Sequence, residues 1–377
     1  MSYAKFNKIS IIGLGLIGGS IAKDAHEKKI AEQIIGYDRS EDELKLADKS
    51  GIFYHLSQTL NENLSGSDIV IICTPINSFS SGIIANILPF LKDSEIITDV
   101  CSVKRFIREQ ADKQLPEKFS KNFIPAHPIA GSEKSGFFAA DSKLFDNKRT
   151  IITNDGIENQ AAIDKIILFW KLLGCQIETM TAEKHDDIYA KVSHLPQLMS
   201  WAFAKCLEEL NLKPQLDRNQ QHIYNIFTRL AHSNRSIWLG IFEKNRDFID
   251  QHIKSLIKYL KILIQEVSSD TDQLYKILLK SKERRISIPK VDFIPISVIN
   301  EQSDIISIII PTIIACALLN ITTEEELTYV GTGYKDFTLP ACQISHYFPE
   351  LINNNINFIQ IFLAKFIEDL EFKSLNS

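Results

Sequence analysis

Short apolar runs alternate with amphipathic stretches over the first half of the chain. Residues 8–12 form a β-branched run that ends in Gly13-Leu14-Gly15-Leu16-Ile17-Gly18, and residues 19–28 have helical composition. The pattern predicts a strand, a glycine turn and a helix in succession. Further strands are expected at 34–37, 68–73, 95–99, 123–126, 150–154 and 175–179, with helical segments between most of them. Such alternation implies a parallel sheet covered on both faces, a doubly wound α/β domain over residues 1–180.

From residue 182 the texture changes to long helical patterns at 182–210, 220–230, 236–242 and 248–279, and strand signals fade. A second, all-helical domain is therefore expected over 181–285. Pro196 lies inside the first of these patterns and should kink it, placing His194 at an irregular turn. Residues 282–295 open on Lys-Glu-Arg-Arg and contain two prolines, which suggests a linker. A third helical region follows over 286–377. It reads as a worn copy of the second, or as a chance similarity between two Leu- and Ile-rich stretches. Phe227-Thr228-Arg229-Leu230-Ala231 is echoed by Phe337-Thr338-Leu339-Pro340-Ala341, and a proline-bearing apolar helix precedes each, around Pro196 and Pro311.

Composition narrows the function classes. A chain of 377 residues, 45% hydrophobic, is long enough for two or three cores. Its net charge of -5 argues against nucleic acid or an anionic membrane as the main partner, so any anion site must be local. The six cysteines are scattered without a Cys-x-x-Cys pair, which fits reduced thiols in the cytoplasm and indicates no metal site. The N-terminus lacks a signal-peptide pattern, so the mature chain is expected to begin at Met1. The most apolar run, 305–319, is shorter than a membrane span and holds Pro311, and a buried helix is expected there.

The glycine turn is a dinucleotide fingerprint because it follows a strand and opens a helix. Gly13 makes the turn, Gly15 lets backbone approach the pyrophosphate, and Gly18 allows close helix–strand packing, with Leu16 and Ile17 at the helix start. Asp38, about 20 residues on at the end of the second strand, would bond the ribose hydroxyls and repel a 2′-phosphate, favouring NAD over NADP. Arg39 beside it weakens that preference. Thr74 and Pro75 after the third major strand, and Ser102 after the next, face the ligand-binding edge of such a sheet. Ser102 could orient a histidine or the nicotinamide, or cap a helix beginning at Val103.

His127 follows the apolar run at 123–125 and is flanked by Pro128, Gly131 and Gly136, with Glu133, Lys134 and two serines close by. A nicotinamide beside a histidine points to oxidation of an alcohol, with hydride leaving to the cofactor and the proton to the imidazole. Of the other histidines, His185, His194, His222 and His232, only His194 at the proline stands above an ordinary structural role.

The glycine turn through Ser20, Cys73-Thr74-Pro75, Asp99 to Lys104, His127-Pro128-Ile129-Ala130-Gly131-Ser132-Glu133-Lys134-Ser135-Gly136, Val192-Ser193-His194-Leu195-Pro196 and Phe227 to Ala231 together closely resemble prephenate dehydrogenase. The resemblance runs roughly from residue 9 to 253. It implies oxidation of prephenate at its ring 4-hydroxyl with NAD, and loss of carbon dioxide to give 4-hydroxyphenylpyruvate in tyrosine biosynthesis. In those terms His127 takes the hydroxyl proton, Ser102 holds the histidine, Glu133 shapes the substrate pocket, His194 lines it, and Arg229 binds a substrate carboxylate. Prephenate is a dianion, and arginine offers it a two-pronged donor that lysine cannot.

One family motif is divided here. The Gly-x-Gly-aromatic-basic-Asp stretch expected just before Phe-Thr-Arg is absent at 221–226 and present at Gly331-Thr332-Gly333-Tyr334-Lys335-Asp336, where Leu339 stands in place of the arginine. Lys335 is therefore an alternative carboxylate ligand to Arg229. The resemblance implies a homodimer; the alternative is a monomer whose C-terminal copy packs on the first as a built-in partner. Arogenate is the rival substrate, and feedback by tyrosine stays open. The competing classes are a β-hydroxyacid dehydrogenase, against which the His127 segment argues, and an NAD-binding regulatory protein without turnover.

Overall fold

The computed structural model describes residues 5–92, 95–131, 134–212, 218–269, 271–286, 288, 305–344 and 347–376. Its first half is built from β1 (Phe6–Ile12), α1 (Leu16–Glu27), β2 (Ala31–Tyr37), α2 (Glu41–Asp48), β3 (His55–Ser57) and β4 (Ile69–Ile72). Then come α3 (Asn77–Ser80), α4 (Ile83–Ile87), β5 (Ile96–Asp99), α5 (Arg105–Gln114), α6 (Glu117–Ser120) and β6 (Phe123–Ile124). The six strands pair in the order β3-β2-β1-β4-β5-β6, every pair parallel, which is the order of a dinucleotide-binding sheet. Because both faces are covered, the central strands are apolar on consecutive positions: Ile69, Val70, Ile71 and Ile72 are all buried.

The single strand expected over 123–126 instead divides at Pro125. After it, β7 (Ala126–Pro128) joins a separate three-stranded sheet with β8 (Arg149–Thr153) and β9 (Gln176–Met180), and α7 (Gln160–Leu172) connects the last two. A proline has no amide to continue a ladder. Its carbonyl accepts Thr153 N at 3.0 Å, and the chain turns into the new sheet. There β7 runs antiparallel to β8, so the parallel pattern ends at this point, and His127 lies opposite Ile151. Buried Trp170 of α7, edge-on to Phe145 and Phe169, fills the core behind.

Among the described residues the remainder is helical: α8 (Ala182–Tyr189), α9 (Leu195–Glu209), α10 (Arg218–Thr228), α11 (Arg235–Lys244), α12 (Arg246–Ser269) and α13 (Thr271–Ile286). After these come α14 (Ile310–Ile321), α15 (Glu324–Leu327), α16 (Thr332–Phe337), α17 (Phe348–Asn354) and α18 (Ile356–Asn376). Pro196 does not interrupt its helix. It occupies the first turn of α9, where a missing amide costs nothing, and the irregularity lies just before it in a π-helical turn, Ala190–His194. The linker expected over 282–295 begins inside α13. Arg284 and Arg285 belong to its last turn, where cations suit the negative end of the helix, and Arg284 donates to Leu319 O at 2.5 Å. Apart from residue 288, the rest of that stretch lies outside the described residues.

The chain separates into two compact units. One holds Met1–Asp186 together with Asn234–Lys244, and the other holds Asp187–Ser233 and Asn245–Ser377. The start of α8 and the whole of α11, helical pieces that the sequence pattern groups with the second domain, thus cluster with the sheets. Gly240 of α11 shows why. A Cβ there would stand 2.8 Å from Ile76 Cγ2, so the helix needs a residue without a side chain to lie so close. The run at 305–319 is a buried π turn and helix, and among the described residues no helix is long and apolar enough to cross a membrane. All six cysteines are free.

Candidate active site

The glycine turn carries its requirements in its geometry. Gly13 has φ +96°, and a Cβ on it would press on the backbone of Cys73 at 2.9 Å. A Cβ on Gly18 would stand 1.9 Å from Gly13 O, so α1 and the turn touch backbone to backbone. Gly15 differs from both: it has an ordinary φ of -69°, and among the described residues nothing lies within 4 Å of its Cβ position. It is the N-cap of α1, and among the described residues no side chain caps that helix. Open space in front of a helix N-terminus suits a pyrophosphate, and Leu16 and Ile17 begin the helix that would face it. Asp38 closes the other side. Its Oδ2 accepts Leu14 N at 2.7 Å and its Oδ1 accepts Ser40 N at 2.8 Å, which fixes the carboxylate beside the turn. Each oxygen retains a second lone pair for a ribose hydroxyl. Arg39 is exposed and Pro75 is exposed, while Thr74 is half-buried and its hydroxyl lies 2.6 Å from Ser78 Oγ.

Across the same sheet edge, Asp99 at the end of β5 organises the approach to His127. Its Oδ2 accepts Lys104 Nζ at 2.6 Å and Cys101 N at 2.8 Å, and Lys104 Nζ also donates to Ala126 O at 2.7 Å. All of these groups are buried. Burial raises the Asp99 carboxyl, against the opposing pull of the Lys104 ammonium and two backbone amides. The ion pair therefore ties the β5 end to the residue immediately before His127.

His127 Nδ1 lies 2.8 Å from His185 Nε2, and His185 Nδ1 lies 2.8 Å from Asp186 Oδ1. Burial, with the nearby Lys104 charge in addition, holds the His185 imidazole well below its ordinary range. A neutral ring facing a carboxylate through Nδ1 must carry its hydrogen there. Its Nε2 then accepts, so His127 donates from Nδ1 and its own Nε2 becomes the basic nitrogen. Asp186 is itself held in place. It accepts Lys104 N at 2.7 Å and Arg105 N at 2.9 Å, and so caps α5 from outside the helix.

Ser102 is half-buried in the turn between β5 and α5, and it does not cap that helix, which starts at Arg105 with Lys104 as N-cap. At Nδ1 of His127 the orienting partner is His185, a residue the sequence pattern had not raised above a structural histidine. The adjacent His185-Asp186 pair near the start of a helix was the available signal. Glu133 lies outside the described residues.

In the helical unit His194 is fully buried at the end of the π turn, with Nδ1 3.1 Å from Asn245 Nδ2. α9 then holds the Phe-Thr-Arg segment by its carbonyls: Gln197 Nε2 donates to Leu230 O at 2.6 Å and Trp201 Nε1 to Ala231 O at 3.2 Å. Arg229 is presented on the surface of that turn. Its Nη2 and Nε both donate to Asp336 Oδ2, at 2.7 and 3.1 Å. The arginine of one stretch and the aspartate of its echo thus meet as an ion pair. The carbonyl of Lys335, next to Asp336, accepts Arg285 Nη2 at 2.8 Å. Among the described residues no group of three or more His, Cys, Asp or Glu could hold a metal.

Residues 21–179 match the family described as prephenate dehydrogenase, nucleotide-binding domain, and residues 181–280 match its dimerization domain. The chain belongs to the prephenate/arogenate dehydrogenase family. It is an oxidoreductase with a nucleotide-binding unit. Family members similar to it include the prephenate dehydrogenase of Bacillus subtilis (strain 168), 29% identical over 74% of this chain and 76% of that one. The cyclohexadienyl dehydrogenase of Zymomonas mobilis is 29% identical over 75% of this chain and 96% of its own. Among solved structures of the family, A. aeolicus prephenate dehydrogenase in complex with hydroxyphenyl propionate and NAD+ superposes with a TM-score of 0.68. It is 26% identical over 75% of this chain and 98% of that chain.

Proposed function

We propose that the protein oxidises prephenate with NAD and releases carbon dioxide, forming 4-hydroxyphenylpyruvate on the route to tyrosine. The observation that carries the reading is the His127–His185–Asp186 chain, which leaves a basic His127 Nε2 in the nucleotide-binding unit of a dehydrogenase family.

NAD supplies the hydride acceptor when bound. Gly13, Gly15 and Gly18, with Leu16 and Ile17, hold its pyrophosphate; Asp38 takes the ribose hydroxyls, with Arg39 beside it; Thr74 and Pro75 border the site. His127 Nε2 accepts the proton of the substrate's ring hydroxyl as the C4 hydrogen departs with its electron pair. The resulting imidazolium keeps its bond to His185, which Asp186 supports from behind. Breaking the bond to the ring carboxylate sends its electrons into the new carbonyl. That oxygen recovers a proton, which His127 can return, and the ring becomes aromatic. Aromatisation drives this step, so positioning and proton removal are the protein's main contributions.

Ser102 is proposed as a second contact for His127 or the nicotinamide. Arg229 is proposed to bind a substrate carboxylate by a charge-assisted bond, and His194 to contact the substrate. Arogenate carries the same ring and the same hydroxyl, so the His127 chemistry serves it equally. NADH formation by purified protein with prephenate or arogenate, followed by absorbance, tests the reading and ranks the two substrates.

A further inference from the structure

We infer that residues 305–376 are a second copy of the helical fold of residues 190–269, stripped of its chemistry, and that this copy occupies the place of a partner subunit. The internal correspondence goes beyond sequence echo. A π-helical turn, Ala190–His194 or Ile305–Ile309, precedes a helix with proline in its first turn in both cases, α9 with Pro196 and α14 with Pro311. π-helical turns are rare, and two in matching positions are a specific coincidence. The residue after each proline then makes the same bond: Gln197 Nε2 donates to Leu230 O at 2.6 Å, and Thr312 Oγ1 donates to Pro340 O at 3.0 Å. At one constant spacing, Thr228 Oγ1 donates to Tyr224 O at 2.8 Å and Thr338 Oγ1 to Tyr334 O at 2.8 Å. Ile249 N donates to Asn245 O and Ile359 N to Asn355 O, again at that spacing, where α12 and α18 begin.

The functional positions have been lost from the second copy. Ile309 stands where the first has His194, and buried Leu339 stands where it has Arg229. Asn355, the counterpart of the Asn245 that bonds His194, donates instead to Leu351 O of its own segment.

The two copies pack as a symmetric dimer packs. Equivalent elements meet one another: α12 lies against α18, and α10 against α16. Phe227 and its counterpart Phe337 stack with ring centroids 4.2 Å apart and planes 25° apart. Non-equivalent pairs occur in both directions, α9 against α18 and α14 against α12. Reciprocal contacts of this kind define an isologous interface. Ion pairs edge it, Lys205 to Asp369 at 2.5 Å, Lys365 to Glu209 at 3.0 Å and Lys261 to Glu371 at 3.1 Å. The domain matched at 181–280 is by its family description a dimerization domain, and here its self-complementary face is already covered by the same chain. The second copy still serves the first through Asp336, which fixes the Arg229 guanidinium.

Sedimentation equilibrium of the full chain over a wide concentration range, with carbodiimide cross-linking and peptide mass spectrometry, tests the inference. The expected result is a single species of one chain's mass, 42.9 kDa, carrying Lys261–Glu371 and Glu209–Lys365 links. A stable dimer overturns it, whether those links join two chains or lie within each. A monomer without the links overturns the packing. Neither readout needs turnover, so the result stands apart from the proposed activity. The role of Asp336 does rest on that activity: Asp336→Ala should raise KM severalfold with kcat little changed, and an unchanged KM overturns it.

Discussion

His185 Nε2 lies 2.8 Å from His127 Nδ1, with the two rings edge-on at 68°, and this contact decides which nitrogen of His127 is basic. Because His185 is buried and neutral, and its far nitrogen is committed to Asp186, it can only accept from His127. In the proposed reaction His127 would act through Nε2, and the charge it gained would have a carboxylate two hydrogen bonds away.

Breaking that chain should cost turnover without emptying the cofactor site. Asp186→Asn and His185→Asn are expected to lower kcat by at least about tenfold, part of the 10²–10⁴ that a placed general base contributes. NAD affinity by fluorescence titration should be unchanged. An unaltered kcat in both variants would remove the relay from the account. Since Asp186 also caps α5, melting curves accompany the kinetics to separate unfolding from misorientation.

The same histidine predicts an acid sensitivity. Its folded pKa is lowered well below the ordinary 6.5, so on acidification the unfolded chain takes up a proton that the folded chain refuses. This contribution to stability is intact above about pH 6.5 and is lost as pH falls below it. Denaturant midpoints measured downward from neutral pH should fall for the wild type and fall less for His185→Asn. Parallel curves would contradict the assignment.

The three glycines of the fingerprint should fail in different ways. Gly18→Ala places a methyl group 1.9 Å from Gly13 O and should lower Tm, at the 1–3 kcal/mol or so typical of overpacking. Gly15→Ala meets open space, so Tm should hold while NAD binding weakens by about tenfold or more, the scale of one lost charge-assisted bond of about 1.5–3 kcal/mol. Calorimetry and NAD titration on the two variants check the contrast.

Arg229→Ala should act mainly on KM, raising it by roughly ten- to a hundredfold, as expected for one hydrogen-bonded charge on a carboxylate. Arg229→Lys should recover only part of the loss, because a point charge cannot reproduce the fork that Asp336 now orients. A kcat effect of the same size in place of the KM effect would assign the residue to the chemical step instead.

The fingerprint was legible because each glycine answers a local demand: a positive φ at Gly13, a backbone contact at Gly18, an opening at Gly15. His127 was legible from its setting between a strand and two glycines. What local pattern could not show was its partner, since His185 is far along the chain and arrives only when α8 packs beside the β5–α5 turn. The division of the strand at Pro125 was written in the sequence as a residue without an amide, yet the apolar run around it spoke for one continuous strand. Asp336 was visible as a displaced piece of a motif. Its pairing with Arg229 is a tertiary fact.

The most direct test of the central claim is NADH formation by the purified chain with NAD and prephenate, comparing wild type with His127→Asn. Turnover is expected in the wild type, with kcat reduced by about 10²–10⁴ in the variant and NAD binding retained. Absence of turnover on prephenate and arogenate in a wild-type protein that binds NAD, or a His127→Asn variant as fast as wild type, would contradict it.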